Sequence, residues 1–449
     1  MAKDHQISFA YTAQLKSSRG EMEDTGDYTS LLSIHTKSQF HDFRLDYTTP
    51  FGLSAGAEYT YYHSPDEQRV KSSLLADDYD IASNQHVDKW HGYLKQEHDL
   101  DNDWTLNYGA NFTTSRDKSS QDRMTGMENT SSGTTGNGTT QTEEQVSVYV
   151  GASKNFGSKL TAEVSLMGEY YHTPVWHEWS LFPTLSVTYH PTAGHILKLD
   201  IDTDRGYPTY WSVKDFTTYT FGGYGKIVGN PDLKPSKDFN ASLTYIYRGR
   251  YVASLFVDNT TDDFYQLPYQ SKTEKALEYK FTNFDHSLQV GLMLRVPVNV
   301  GKWWKNNITA IGVYQNQKDS QFYDLPFDRS KWFCMLKYSG SFIFSKHLLF
   351  NLDGQVRTAA IQGIADIPAA GGLNAALTWK PLQDDRLTVK ASCNDIFQTA
   401  DGNLHDTYHG QHVINEFHSG RSFILSLTYR FGGYKAKQHE KVDTSRFGI

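Results

Sequence analysis

The sequence predicts an all-β protein, a transmembrane antiparallel β-barrel of about 18 strands. Three observations lead to this prediction. Apolar and polar residues alternate through long segments, these segments are longer than the strands of soluble proteins, and very short turns alternate along the chain with connections that are mostly much longer. The apolar spacing typical of an amphipathic helix fits none of these segments.

The alternation is clearest where the segments are longest. Every second residue from position 104 is apolar, namely Trp104, Leu106, Tyr108, Ala110 and Phe112. The same period of two returns over 288–298, 348–357 and 387–394. A period of two places the apolar residues on one face of a strand and the polar residues on the other, so each segment is predicted to have one apolar face.

The predicted strands cover most of the chain. With boundaries uncertain by about two to four residues, they are 4–17, 36–48, 51–64, 84–98, 103–115, 143–154, 158–172, 178–190, 194–205, 236–247, 250–268, 276–298, 302–317, 331–345, 347–358, 371–381, 385–396 and 418–431. Most exceed the roughly five to six residues common in soluble proteins. A tilted strand needs about 9 to 11 residues to cross a bilayer, so these lengths suit a membrane barrel.

The connections fall into two classes. The short ones carry turn residues and lie at 49–50, 101–102, 155–157, 191–193, 248–249, 299–301, 345–346 and 382–384. Between them lie 18–35, 65–83, 116–142, 206–235, 318–330, 359–370 and 397–417, with two shorter exceptions at 173–177 and 269–275. Outer-membrane barrels have short periplasmic turns and long external loops, so both termini are expected on the periplasmic side.

Composition is compatible with this class. The chain has 449 residues, a net charge of -8 and 14% aromatic residues, and its mean hydropathy is -0.58. No apolar run is long enough for a transmembrane helix, whereas a barrel with a wet lumen needs lipid-facing residues only at alternate positions. Aromatic residues near strand ends favour interfacial belts: Trp104, Trp303, Trp304, Trp379, Tyr429 and Phe431 toward the turns, and Trp176, Trp179 and Trp332 toward the loops. No basic stripe is present, so nucleic acid is not a predicted partner.

Three motifs resemble one family. DRGYPTYWSVKDF at 204–216 is followed by GNPDLKP at 229–235, and the chain ends on an alternating strand and a short basic tail from Ser422. Asn394-Asp395-Ile396-Phe397 resembles the end of the family's penultimate strand. In this order the motifs resemble the outer membrane protein β-barrel family, the C-terminal barrel of TonB-dependent receptor-like proteins.

The resemblance implies a barrel of 22 strands and an N-terminal plug. We expect 1–431 to be the barrel, lacking the plug and first strands, and 432–449 to be a short periplasmic tail. The first residues lack the apolar region of a secretory signal. The chain is therefore expected to be the C-terminal part of a longer receptor, a truncated reading frame, or a plugless relative with its signal removed. Unpaired edges are costly in lipid, so either the first and last strands close directly or the native protein includes more.

Two sets of residues are candidate binding sites. In the long connection at 206–235 the rings able to stack on a sugar, haem or siderophore are Tyr207, Tyr210, Trp211, Tyr219 and Tyr224; packing of this connection on itself is the favoured alternative. In the last loop, His409, His412 and His418 are candidate metal ligands, although solvated histidines are favoured there. No catalytic motif occurs, and an enzyme is not predicted, although an outer-membrane protease or lipase using loop Asp/His or Ser/His pairs stays open. No cofactor is predicted.

The resemblance implies the barrel of an energy-coupled importer in the outer membrane of a Gram-negative bacterium. Such a barrel takes up a scarce solute, which can be an iron chelate, cobalamin, a glycan or a peptide. The implied partners are outer-membrane lipid and a TonB-type energy-coupling complex, which acts through a plug not present in this chain. A surface lipoprotein is a further candidate partner. The alternative function is a plugless passive channel or a purely structural barrel.

Overall fold

A computed structural model describes residues 5–75, 78–125, 135–273, 276–400, 402–416, 420–431 and 442–447. Nearly all regular structure in these ranges is β-strand, and the helical pieces are three-residue 3-10 turns. Across the same ranges, no helix has the length and apolar character needed to span a membrane.

In the described residues the strands, in chain order, are β1 (Gln6–Thr25), β2 (Thr29–Thr48), β3 (Leu53–Ser72), β4 (Tyr79–Leu100), β5 (Trp104–Thr125), β6 (Thr135–Phe156), β7 (Leu160–His172), β8 (His177–Tyr189), β9 (His195–Gly206), β10 (Thr217–Thr220), β11 (Gly225–Val228), β12 (Ser236–Tyr247), β13 (Tyr251–Gln270), β14 (Leu277–Val300), β15 (Trp304–Asp319), β16 (Phe327–Ile343), β17 (Leu348–Arg357), β18 (Ala360–Gln362), β19 (Ala365–Ile367), β20 (Ala370–Trp379), β21 (Leu387–Asn394), β22 (Leu404–Asp406), β23 (Val413–Asn415) and β24 (Ser422–Tyr429). The short strands β18, β19, β22 and β23 form a separate four-stranded sheet, which we call the cap sheet.

The wall of the barrel is an antiparallel sheet in which each strand pairs with its neighbours in the chain. The pairing runs from β1 through β9, then β12 through β17, then β20, β21 and β24. Leaving out the short β10 and β11, this is the predicted set of about 18 strands, and the fold class is confirmed. Among the described residues no ladder joins β1 to β24, so direct closure between the first and last strands is not observed there.

The first strands are longer than predicted. β1 has 20 residues and β4 has 22, so the positions predicted as loops at 18–35, 65–83 and 116–142 are largely strand. The polar segment around 115–145 is strand as far as it is described, and 126–134 lies outside the described residues. Backbone ladders do not require apolar side chains. A change to polar sequence therefore marks the point where a strand leaves the apolar layer, and the strand itself continues.

The two faces of the wall differ as the alternation predicts. Outward residues of β14, including Leu292 and Leu294, leave 41% of their surface exposed, whereas inward residues such as Thr60 and Val87 are buried. A continuous exposed apolar face is typical of a lipid-facing belt. Trp179 and Trp332 lie on this face. The prediction was wrong for Trp176, which packs against the buried Tyr171 and Arg205.

The eight predicted short turns all join strands at one end of the wall. At the β12–β13 turn, Arg248 and Gly249 have φ values of 51° and 63°. Positive φ at two successive positions is the geometry of tight hairpins, because its twist matches that of the flanking strands. The opposite end carries the longer connections and the cap sheet, which packs near a buried cluster of Leu267, Phe284, Phe322, Leu325, Phe327 and Ile364.

Candidate lumenal site

The connection between β9 and β12 folds into the lumen; we call residues 207–235 the inward loop. Its first contact is with β3, where the Gln68 side chain donates to the Tyr219 carbonyl at 2.8 Å. Its second is with β5, where the Lys214 ammonium lies 2.6 Å from the Asp117 carboxylate. Its third is with β14, which pairs with β11 in a parallel ladder. The inward loop thus crosses the inner face of the wall between strands far apart in the sheet.

Two buried ion pairs hold this region. The side chains of Lys214 and Asp117 are 1% and 2% exposed. At the base of the loop, Arg205 lies 3.0 Å from Glu169, and these side chains are also 1% and 2% exposed. Buried charges are strongly unfavourable unless they have a partner. The first pair joins the inward loop to wall strand β5, and the second joins wall strands β7 and β9 beside the start of the loop.

Hydrogen bonds complete the coordination of the two carboxylates. Asp117 accepts from the Gln85 amide at 3.1 Å and from the Ser119 hydroxyl at 2.6 Å. Glu169 accepts from the Gln145 amide at 2.6 Å and from the Tyr207 phenol at 2.8 Å. Burial, together with the charge of Glu169, raises the pKa of Tyr207, so this phenol keeps its proton and donates it.

The aromatic candidates lie in the inward loop and pack mainly against protein. Tyr210 is buried, and the Trp211 ring packs on Phe216 with centroids 5.7 Å apart. The Tyr219 hydroxyl accepts from Arg123 at 3.0 Å, and the backbone carbonyl of Tyr224 accepts from the amide of Leu277, the first residue of β14, at 3.0 Å. The Trp211–Phe216 contact lies within the connection, whereas the Tyr219 and Tyr224 contacts are made with the wall. A role of the five rings in ligand binding stays a prediction.

The GNPDLKP motif fastens the inward loop to the wall. A side chain at Gly229 would collide with the carbonyl oxygen of Lys214. The Asn230 side chain donates to the Phe281 carbonyl at 2.8 Å, and the Asn283 side chain accepts from the Lys234 amide at 2.9 Å. The motif thus has a structural role: it ends the loop on β14 and delivers the chain to the start of β12.

A cavity of about 370 Å³ lies beside the inward loop and is lined by charged and aromatic side chains of the wall and loop. The acidic lining residues include Glu58 and Glu143, and the basic ones include Arg44 and Lys89. Acidic and basic side chains in one cavity favour a polar or zwitterionic ligand over an apolar one. Sequence reasoning missed this cavity, because its lining comes from strands distant in the chain.

The candidate metal ligands do not form a cluster in the described part of the chain. The His409 ring packs on Tyr408 with centroids 4.2 Å apart, and the His412 amide donates to the Gln270 side chain at 3.2 Å. His418 lies outside the described residues. In the ranges that the structure covers, no group of three or more His, Cys, Asp or Glu side chains has an arrangement suited to a metal ion.

A wall with a lipid-facing belt, short turns between alternate strands and a charged lumen defines the class as an outer-membrane β-barrel. The family model for the outer membrane protein beta-barrel family matches residues 52–429, and the chain belongs to this family. The chain is accordingly a barrel of the outer membrane of a Gram-negative bacterium. No curated protein sequence matches it significantly.

Several solved structures have a similar fold. The siderophore receptor PirA from Pseudomonas aeruginosa aligns with a TM-score of 0.51 and 12% identity, over 96% of this chain and 78% of that one. A variant of the ferric enterobactin receptor PfeA from the same organism gives 0.54 and 11%, over 96% and 76%. The RagAB peptide transporter gives 0.56 and 11%, over 89% and 62%. These proteins are receptors and transporters, and at such identities the similarity concerns the fold.

Proposed function

We propose that the chain is the barrel of an energy-coupled importer that takes up a scarce solute across the outer membrane. The observation that carries the proposal is the inward loop. It crosses the lumen and is held there by the buried Lys214–Asp117 pair and by the hydrogen bond from the Tyr207 hydroxyl to Glu169. A passive pore works with an open lumen, whereas an importer works with a lumen that opens only when solute and energy are both present.

The charged cavity supports a polar solute. Iron chelates, cobalamin, glycans and peptides all remain within the proposed class, and the cavity chemistry favours those with charged groups. Energy would come from a TonB-type complex that acts on a plug, with the start of β1 and the end of β24 at the periplasmic end of the wall. A surface lipoprotein is a further proposed partner at the loop end of the barrel.

Two measurements separate the importer from the passive channel. In planar bilayers bathed in potassium chloride, the importer is expected to show no steady conductance, whereas the passive channel gives an ohmic current. In cells, growth on a limiting iron chelate, cobalamin, oligosaccharide or oligopeptide is compared with and without the energy-coupling complex. Uptake that continues unchanged without the complex would contradict the proposal. The coding sequence upstream provides a third test, because a stop codon directly before Met1 excludes an in-frame plug.

A further inference from the structure

The described end of the chain, residues 442–447, lies against the inner face of the wall; we call it the terminal segment. It was expected as part of a periplasmic tail at 432–449. The Tyr210 amide of the inward loop donates to the Arg446 carbonyl at 3.2 Å, and Phe447 is buried between wall strands and that loop. The terminal segment therefore occupies the lumen side of the barrel.

All three nitrogens of the Arg446 guanidinium donate hydrogen bonds, and the group also lies against an aromatic ring. Two of its nitrogens donate to the two carboxylate oxygens of Glu143 on β6, at 2.6 and 3.1 Å. The third nitrogen, Nε, donates to the Pro208 carbonyl at 2.9 Å. The guanidinium carbon lies 4.3 Å from the centroid of the Tyr210 ring. A paired carboxylate, a backbone acceptor and an aromatic face are the features that recognise a planar guanidinium, and a lysine ammonium cannot satisfy them together.

Phe447 fills an aromatic pocket beside this ion pair. Its ring centroid is 5.2 Å from that of Tyr62 and 5.5 Å from those of Phe40 and Tyr210. The ring is 7% exposed. Phe40, Tyr62 and Val87 are inward residues of three neighbouring wall strands, at positions where a lumen otherwise carries polar side chains. Rings at such separations and angles stabilise each other beyond the area that they bury.

The ion pair of Glu143 and the aromatic pocket are both occupied by the terminal segment. The Glu143 side chain is 6% exposed, so without Arg446 the wall would hold a buried carboxylate with no cationic partner at these distances. The aromatic pocket next to it would also lose its occupant. The Glu143 carboxylate and the aromatic pocket thus lie at the spacing of two consecutive residues.

We propose that β2–β6 and the start of the inward loop form a binding site for an arginine followed by an aromatic residue, with Arg446-Phe447 of the chain itself as its intramolecular occupant. Because the occupant is tethered, its effective concentration is high, and it shields the site from peptides of the same chemistry. Displacing it frees the carboxylate and the aromatic pocket together. The inference concerns this site and does not depend on the importer proposal.

Docking of the terminal segment can be measured directly in the full chain. With 4-fluorophenylalanine at position 447, the ¹⁹F resonance is expected to be shifted by the surrounding rings. E143Q should move it toward the value of a free peptide, as should the charge reversals E143R and R446E. Combining E143R with R446E regains the opposite charges but places a carboxylate against the Pro208 carbonyl and the Tyr210 ring, so it should restore the shifted resonance only in part. The control R386A removes an exposed turn arginine, which pairs with Asp384 at 3.0 Å, and should change nothing.

A second measurement tests the site with a separate ligand. In the full chain carrying R446A and F447A, a peptide of sequence VDTSRF should bind, and a scrambled peptide of the same composition should not. Adding E143Q should weaken binding at least about tenfold, because a charge-assisted bidentate pair is lost. Heat-modifiable migration on gels verifies that each variant is folded. Equal binding of both peptides, or a ¹⁹F resonance at the free value in the unmodified chain, would overturn the proposal.

Discussion

Replacing Lys214 by methionine should release the inward loop. The substitution leaves Asp117 buried, with its Gln85 and Ser119 hydrogen bonds but without its cation. Removing one partner of a buried pair costs about 3 to 5 kcal/mol. If that cost falls on docking, the undocked population rises at least about 100-fold, since each 1.4 kcal/mol is a factor of ten.

Hydrogen–deuterium exchange of the barrel in nanodiscs is the assay. Amides of the inward loop should exchange at least about 100-fold faster in K214M, while amides of the wall keep their protection. The matched control is K237M. Lys237 pairs with Glu178, but both side chains are more than a third exposed, so its loss should cost at most about 1 kcal/mol. Equal exchange in K214M and the unmodified chain, with the wall intact, would refute the reasoning.

Three further predictions concern other parts of the molecule. Burial raises the pKa of Asp406 in the cap sheet to about 6, so the folded state prefers the neutral acid. The stability of the cap sheet should therefore fall as the pH rises from about 4 to 6. D406N should abolish this dependence in hydrogen–deuterium exchange measured across the same pH range. G229A should undock the inward loop because its Cβ meets the Lys214 carbonyl, whereas G92A, with its nearest atom at 3.8 Å, should be tolerated in the same assay. L292R on the lipid face should cost about 2 to 4 kcal/mol in urea unfolding from bilayers, and Q289R on the inner face should cost much less; equal costs would contradict the assignment of the faces.

The wall was predictable because its signals are local. Alternation along β14 and turn chemistry at Arg248-Gly249 depend only on neighbouring residues, and both agree with the structure. The polar parts of β5 and β6 were wrongly predicted as a loop. Polar residues indicate that a segment is outside the apolar layer, but they do not exclude strand pairing of its backbone. The strand order followed from the short turns, because two strands joined by a short turn pair with each other.

The lumenal site was much less predictable. Asp117 fell in the connection predicted at 116–142, and the partners of Asp117 and Glu169, Lys214 and Arg205, come from other parts of the chain, so nothing in the sequence matches them pairwise. Arg446 appeared as one more basic residue in a tail. Its contact with Glu143 joins positions 303 residues apart, and no local pattern in the sequence indicates such a pairing.

The unequal lengths of the wall strands give the barrel a sloping rim. The eight predicted short turns lie at one end, so differences in strand length appear at the other. There β4, with 22 residues, stands above β9 and β12, with 12 each. Ten residues correspond to roughly 33 Å along a strand and, with a tilt near 45°, to about 25 Å in height. A macromolecule approaching from outside therefore meets a lower rim at β9 and β12, where the inward loop enters, than at β4.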